Sequence, residues 1–139
     1  KKISVRKSDA ILPVDVTTAV FPGYPTDLQA QWIALMTIAK GDSVVTDNVY
    51  HDRFSHVPEL NRLGADIQVS DNVAYIKGRN DLVGAPVMST DIRASASLIV
   101  GGLMAEGKTE ISRVYHIDRG YEEIEEKFSS LGADITRLN

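Results

Sequence analysis

Residues 26–30 read Thr-Asp-Leu-Gln-Ala, and residues 90–94, 64 positions later, read Thr-Asp-Ile-Arg-Ala. The spacing between matched segments then grows to 68 residues, so the two copies differ by short insertions. A period this long exceeds that of solenoid repeats, and each copy mixes helix and strand patterns. The sequence therefore predicts a duplicated α/β module. The other matches are Ala39-Lys40-Gly41 with Ala105-Glu106-Gly107, Asp52-Arg53 with Asp118-Arg119, and Leu63-Gly64-Ala65-Asp66-Ile67 with Leu131-Gly132-Ala133-Asp134-Ile135.

Composition indicates an ordinary soluble protein. The chain has 139 residues, of which 43% are hydrophobic and 24% charged, enough for one domain with a real core. The net charge of −4 disfavours a nucleic-acid surface. No apolar run approaches the roughly 18 residues of a membrane span, and the first residues do not form a signal peptide. We therefore expect a cytoplasmic protein that binds neither nucleic acid nor membrane.

No cofactor and no metal are expected. The absence of cysteine excludes disulfides, thiolate zinc sites and cysteine nucleophiles. His51 and His56 are five residues apart and lack a carboxylate partner at metal-ligand spacing. These patterns favour ordinary surface or junction histidines.

The first helix is predicted over residues 27–39. Leu28, Trp32, Leu35, Met36 and Ala39 have the spacing of one buried face. Thr26 and Gln29 would form a capping box, and Gly41 would follow the helix as its C′ residue.

Each copy is predicted to contain two helices and several strands. In the first copy we expect strands at 43–50, 65–69 and 73–77 and a turn followed by a helix within 52–63. In the second copy we expect helices at 91–105 and 120–131 and strands at 109–117 and from 133 onwards. The paired glycines Gly101 and Gly102 indicate close helix packing, and the glutamates after Tyr121 indicate a solvated face. We assign residues 1–20 to the tail of a preceding unit, 21–86 to unit one and 87–139 to a truncated unit two.

The equivalent aspartates Asp27 and Asp91 allow two interpretations. At the start of a helix, a carboxylate is stabilised by the helix dipole and needs no ligand. In the same place it can also orient a substrate hydroxyl or remove its proton.

Three arginines also allow two interpretations. Arg53 and Arg119 each follow an aspartate, a pattern that usually forms a local ion pair, whereas Arg93 stands where the first copy has Gln29. If the two units are related by rotation, equivalent junctions meet at one end of the domain. The three guanidinium groups would then jointly hold a phosphate or carboxylate.

Four longer motifs resemble the C-terminal part of the UDP-N-acetylglucosamine enolpyruvyl transferases. The resemblance covers nearly the whole chain and favours this family over the enolpyruvylshikimate phosphate synthases of the same fold. It implies an α/β (α+β) fold of repeated βαβαββ-type units arranged as an inside-out α/β barrel, with two units and the tail of a third in this chain. The motifs are residues 21–29, FPGYPTDLQ; 53–60, RFSHVPEL; 90–98, TDIRASASL; and 115–122, YHIDRGYE.

The resemblance also implies a reaction. The enolpyruvyl group of phosphoenolpyruvate would be transferred to the 3-hydroxyl of UDP-N-acetylglucosamine, with release of phosphate, in the first committed step of peptidoglycan synthesis for the cell wall. Asp27 takes the position of the residue that binds this hydroxyl and acts as base. Val49 takes that of a contact to the UDP-sugar, and Asp91 that of a supporting acid. Arg119, with Arg53 and Arg93, takes the positions of arginines that meet the phosphoenolpyruvate charges or order the closed cleft.

The chain departs from this family by what it lacks. The family's other domain supplies a lysine, an asparagine, a nucleotide-binding loop and usually a cysteine that acts as proton donor, none of which matches here. The chain also lacks an initiator methionine. We therefore expect a fragment that is inactive without the N-terminal domain of the same enzyme. Two alternatives stay open: a stand-alone ligand-binding or regulatory module of this fold, and a transferase acting on a shikimate-type acceptor, which the motif from Tyr115 to Tyr121 disfavours.

Overall fold

The fold alternates short strands with helices. The computed structural model describes residues 2–79 and 81–138. The first copy contains strand β1 (Val16–Thr18), a 3₁₀ turn (Thr26–Leu28), helix α1 (Gln29–Met36), β2 (Ser43–Asp47), α2 (Val57–Arg62), β3 (Asp66–Ser70) and β4 (Val73–Lys77). The second contains β5 (Pro86–Met88), α3 (Ile92–Met104), β6 (Glu110–Ser112), α4 (Tyr115–Asp118) and α5 (Ile124–Ser130).

The duplication is visible in the strand pairing. In the first copy β1 pairs with β2 in parallel, and α1 connects the two strands. In the second copy β5 pairs with β6 in parallel, and α3 connects them. The first copy adds β4 and β3 to form a sheet in the order β1-β2-β4-β3, with β4 antiparallel to both neighbours. The predicted α/β class with repeated units is confirmed.

β1 lies within residues 1–20, the segment assigned to the tail of a preceding unit. Val16–Thr18 pair with β2 and form the edge strand of the first copy's sheet. A strand that follows a proline suits an edge position, because proline cannot donate a hydrogen bond to a neighbouring strand. The unit boundaries themselves stay a prediction.

The core is built on the two helices α1 and α3, which pack against each other. Both are buried on most of their surface. Small residues permit this close approach, because they let two backbones come together without side-chain overlap. A Cβ added at Gly101 would lie 3.0 Å from a methyl carbon of Leu60, which confirms that this glycine serves close packing. The fully or nearly fully buried positions include Ala30, Ile33, Ala34 and Met36 of α1 and Ala94, Ser95, Ser97 and Leu98 of α3.

Three details of the first helix were predicted wrongly. Leu28 lies in the 3₁₀ turn before α1 and is 48% exposed, and Trp32 is only partly buried, so the five residues do not form one buried face. The capping box is absent: the Thr26 hydroxyl donates instead to Asp47. Gly41 has a positive φ of 144° but lies beyond Thr37, where the helix has already ended.

The second half of the second copy is less regular than predicted. The strand expected at 109–117 is confined to β6, because Arg113 has a positive φ of 57° and Tyr115 begins a helical turn. The helix expected at 120–131 begins only at Ile124, after Glu123 in the left-handed region. The glutamates of this segment are not all free in solvent, since Glu125 binds Arg137.

Residues 133–138 do not form the expected strand. They correspond to β3 of the first copy, which is paired with β4, whereas no described strand of the second copy corresponds to β4. A cavity of about 900 Å³ lies in this region, between α3, β6 and residues 134–138. An extended segment without a neighbouring strand has no ladder of hydrogen bonds to hold it. Among residues 2–79 and 81–138, no helix is both long enough and apolar enough to cross a membrane.

Truncation of Leu98 tests the importance of the helix pair. Leu98 on α3 is fully buried, so Leu98→Ala leaves a cavity and is expected to lower the free energy of unfolding by about 2–5 kcal/mol. Leu103 lies on the same helix but is 39% exposed, and Leu103→Ala is expected to cost less than about 1 kcal/mol. Urea unfolding of both variants measures the difference. Equal losses would show that the α1–α3 contact is not the main core.

Candidate functional site

The candidate site is centred on the carboxylate of Asp27. This residue lies in the 3₁₀ turn before α1, and its side chain is 65% exposed. One of its oxygens, Oδ1, accepts hydrogen bonds from two arginines that are far apart in the sequence. Arg93 donates from Nε at 2.7 Å, and its Nη2 forms an ion pair with the same oxygen at 2.6 Å. Arg53 donates from Nη1 at 3.3 Å. Arg53 and Arg93 thus converge on one carboxylate oxygen, whereas the joint binding of an anion by Arg53, Arg93 and Arg119 stays a prediction.

Arg53 is held in place on two sides. Its Nη1 donates to the Thr26 hydroxyl at 3.1 Å, and its guanidinium carbon lies 4.5 Å above the centre of the Tyr50 ring. Its backbone carbonyl accepts a hydrogen bond from Gln29, the residue that corresponds to Arg93 in the first copy. The two equivalent positions thus act on the same junction in different ways: Gln29 fixes the backbone of Arg53, and Arg93 reaches Asp27.

Both arginines keep donors that no described residue uses. Within residues 2–79 and 81–138, Nε and Nη2 of Arg53 and Nη1 of Arg93 make no hydrogen bond. The side chains of Arg53 and Arg93 are 19% and 34% exposed. Guanidinium groups with unused donors at a surface are suited to bind phosphate or carboxylate. Oδ2 of Asp27 likewise has no partner among the described residues and can accept a hydroxyl.

Asp91 has a different environment from its counterpart Asp27. It is the N-cap of α3, where one oxygen accepts from the backbone N–H groups of Arg93 at 2.8 Å and Ala94 at 3.0 Å. Its other oxygen accepts from the Ser55 hydroxyl at 3.0 Å. Burial opposes ionisation of this carboxyl, but these hydrogen bonds and the nearby His56 together hold its pKa below the usual value. Asp91 therefore caps its helix with its side chain, whereas Asp27 lies in the first turn of a helical segment and makes no capping hydrogen bond.

His56 lies at the junction before α2, as the N-cap residue of that helix, but it is buried and not on the surface. It is 2% exposed beside Phe54, and its Nε2 atom has no hydrogen-bond partner in the described residues. Burial lowers the pKa of His56 to about 4, and the charge of Asp91 opposes this shift. The imidazole is therefore neutral near pH 7. In the described part of the chain no group of three His, Asp or Glu side chains is arranged to hold a metal ion.

Arg119 and Val49 do not contact Asp27. Arg119 ends α4 and makes no ion pair or side-chain hydrogen bond within the described residues. The next residue, Gly120, lies so close to Ile92 that a Cβ there would overlap it, which places Arg119 near the start of α3. Val49 is 41% exposed, and its N–H donates to Asp47 Oδ1 at 3.0 Å.

Neither Asp-Arg neighbour pair forms the local ion pair that sequence patterns usually predict. Arg53 pairs with Asp27 rather than with Asp52. Asp118 pairs with Arg137 at 2.7 Å rather than with Arg119. Contacts between distant parts of the chain replace contacts between neighbours in both copies.

Sequence reasoning missed Asp47, the last residue of β2. Its side chain is fully buried and accepts four hydrogen bonds close to Arg53. The one sequence signal for Asp47 is its place as an acidic residue at the end of a strand whose residues alternate in burial. The same pattern is common on solvent-facing strand ends, so the signal was weak.

The family is shown by a sequence comparison. A family model described as EPSP synthase (3-phosphoshikimate 1-carboxyvinyltransferase) matches residues 1–128. The chain belongs to this family. Its relatives in the family include proteins named UDP-N-acetylglucosamine 1-carboxyvinyltransferase, which confirms the resemblance read from the four motifs.

The similarity to these relatives is high but covers part of their length. The protein from Pelodictyon phaeoclathratiforme is 59% identical over 135 residues, which are 97% of this chain and 32% of that protein. The protein from Myxococcus xanthus is 60% identical over 124 residues, which are 89% of this chain and 30% of that protein. The chain thus spans about a third of the length of these relatives.

Solved structures agree with the fold. The enolpyruvyl transferase NikO from Streptomyces tendae matches with a TM-score of 0.82 at 32% identity, over 91% of this chain and 29% of that chain. EPSP synthase from Acinetobacter baumannii matches with a TM-score of 0.67 at 17% identity, over 96% of this chain and 30% of that chain, and supports the fold alone.

The buried histidine gives a pH dependence of stability. Since the pKa of His56 falls from 6.5 to about 4 on folding, the unfolded chain binds more protons between these values. Stability is therefore fully retained above about pH 6.5 and is lost as the pH falls towards 4, by on the order of 3 kcal/mol at most. Urea unfolding across this range measures the slope.

His56→Gln should flatten this slope, whereas His51→Gln, at an exposed position, should leave it unchanged. Asp47 and Asp91 also have lowered pKa values, but they lose their contribution only near pH 3.8 and below, outside the window of His56. A slope that persists in His56→Gln would contradict the assignment.

Proposed function

We propose that this chain forms one wall of the active site of a UDP-N-acetylglucosamine 1-carboxyvinyltransferase. The enzyme would transfer the enolpyruvyl group of phosphoenolpyruvate to the 3-hydroxyl of UDP-N-acetylglucosamine, in the cytoplasm, for peptidoglycan synthesis. The observation that carries the proposal is an exposed carboxylate, Asp27, held by Arg53 and Arg93, in a chain that is 59% identical to a relative of this name.

The proposed chemistry needs a base and several cations. The sugar oxygen adds to C2 of phosphoenolpyruvate while C3 takes a proton from a donor in the rest of the longer protein. The bond between C2 and the phosphate oxygen then breaks as C3 loses a proton and the double bond forms again. The sugar hydroxyl is weakly acidic and must lose its proton, which we assign to Asp27 Oδ2. Arg93 and Arg53 hold Oδ1, so that Oδ2 faces the open side of the site.

The arginines have a second role in this proposal. Phosphoenolpyruvate carries phosphate and carboxylate charges, and the phosphate must leave with additional negative charge. The unused donors of Arg53 and Arg93 would bind these charges, and Arg119 would join them when the site closes. Asp91 would keep the backbone of Arg93 in place through the N-cap of α3. Val49 would contact the UDP-sugar through the exposed chain after β2.

Substitution of Asp27 tests the assignment of the base. In the longer protein that this proposal requires, Asp27→Asn is expected to lower kcat by roughly 10²–10⁴, because an amide cannot take the hydroxyl proton. Phosphate release with UDP-N-acetylglucosamine and phosphoenolpyruvate is the measurement. Asp42→Asn, at an exposed position outside the site, serves as the control and should keep normal activity. A fully active Asp27→Asn variant would exclude Asp27 as the base.

The 139-residue chain alone is expected to be inactive. It spans about a third of its relatives, and the rest of such a protein would provide the opposite wall of the site. We expect no phosphate release and no binding of UDP-N-acetylglucosamine by calorimetry. Micromolar binding without turnover would instead support a stand-alone module. Turnover of a shikimate-type acceptor by the longer protein, in place of the nucleotide sugar, would support the other family activity.

A further inference from the structure

Asp47 is a buried carboxylate for which the proposed reaction has no direct use. It is the last residue of β2, its side chain is fully buried, and it cannot touch a substrate without a large rearrangement. A buried carboxylate is costly unless hydrogen bonds compensate for the lost water. Burial opposes its ionisation, but the donors around it outweigh this effect and hold the pKa of Asp47 below its usual value. The carboxylate is therefore charged near pH 7.

One oxygen of Asp47 acts on Arg53 through Thr26. The Thr26 hydroxyl donates its only proton to Asp47 Oδ2 at 2.6 Å. The lone pairs of the same hydroxyl are then free to accept from Arg53 Nη1, which lies 3.1 Å away. Without the Asp47 acceptor the hydroxyl would be free to rotate. The carboxylate thus fixes Thr26 as an acceptor for the arginine.

The other oxygen acts on Arg53 through Tyr50. Oδ1 accepts from the backbone N–H groups of Val49 at 3.0 Å and Tyr50 at 2.8 Å, and from the Thr18 hydroxyl at 2.6 Å. These bonds end β2 and turn the chain so that the Tyr50 ring lies under the Arg53 guanidinium. Two of the three side-chain contacts of Arg53, to the Thr26 hydroxyl and the Tyr50 ring, therefore depend on one carboxylate, and the third is to Asp27.

We propose that Asp47 is a positioning residue that sets the place of the Arg53 guanidinium through Thr26 and Tyr50. The inference rests on the proposed function, in which Arg53 meets the charges of phosphoenolpyruvate. Asp47 itself touches no reacting atom. Its effect on catalysis is carried by the guanidinium, which shares Asp27 Oδ1 with Arg93.

The decisive variant is Thr26→Val, which removes the hydroxyl at nearly constant size and keeps Asp47 in place. In the longer protein we expect KM for phosphoenolpyruvate to rise about tenfold, as for loss of one hydrogen bond to a charged group, while KM for UDP-N-acetylglucosamine changes less than about twofold. Thr26→Ser keeps the hydroxyl and should restore the value. Thr46→Val, on β2, is the matched control, because the Thr46 hydroxyl makes no hydrogen bond to any residue that the structure describes.

Two further variants separate positioning from simple support of the fold. Thr18→Val removes a bond of the same length to the same carboxylate but does not touch Arg53, so it should lower thermal stability with a smaller change in KM for phosphoenolpyruvate. Asp47→Asn should reproduce the effect of Thr26→Val and add a loss of stability. If it fails to fold, the comparison of Thr26→Val with Thr26→Ser decides alone.

Several results would overturn the inference. These are parallel changes in both KM values, equal effects of Thr18→Val and Thr26→Val on KM for phosphoenolpyruvate, or failure of Thr26→Ser to restore it. If the wild-type longer protein does not use phosphoenolpyruvate, the proposed function fails instead. The positioning itself is then tested by NMR of the 139-residue chain: the Arg53 Nε–H signal should show greater mobility in Thr26→Val than in Thr46→Val, and equal mobility would refute it.

Discussion

The contact between α1 and α3 is the constraint on which the rest of the structure depends. Both helices are enclosed on most sides, and alanine, serine and glycine let them approach closely. Each helix connects two parallel strands of its own copy, so packing the helices also fixes the two sheets. Their N-terminal ends lie at the same end of the domain, since Arg93 at the start of α3 reaches Asp27 just before α1. The site is a product of this arrangement.

The site arises where the two copies differ. A strictly symmetric pair with glutamine at both positions would lack one of the two cations that bind Asp27, since only Arg53 would remain. Arg93 in place of Gln29 supplies that cation, and Gln29 is used instead to hold the backbone of Arg53. Asp91 keeps the capping role that its position favours, which leaves Asp27 exposed and held by arginines. The duplication provides the scaffold, and the difference between Gln29 and Arg93 makes the site asymmetric.

The three carboxylates of this region, Asp47, Asp91 and Asp27, are buried to different depths. Asp47 is fully buried and charged because four donors surround it, Asp91 is partly buried at a helix start, and Asp27 is exposed between guanidinium groups. Such a series places the costly buried charge where hydrogen bonds can compensate for it and leaves the Asp27 carboxylate at the surface. It also explains how a chain with a net charge of −4 can present arginine donors to an anion: the arrangement is local.

The sequence by itself determined the duplication, the helix α3, the strands β3 and β4 and the motifs that contain Asp27, Arg53 and Arg93. These follow from patterns among neighbouring residues and from the repeat, both of which can be recognised in the sequence alone. Only the tertiary structure decided that Thr26 binds Asp47 and makes no capping box, and that Arg53 pairs with Asp27 and not with its neighbour Asp52. It also decided that residues 133–138 form no strand. The partners in these contacts lie 21 and 26 residues apart, and Arg93 and Asp27 lie 66 apart. A local pattern gives the preference of a residue, whereas packing of α1 on α3 decides which distant group is close enough to satisfy it.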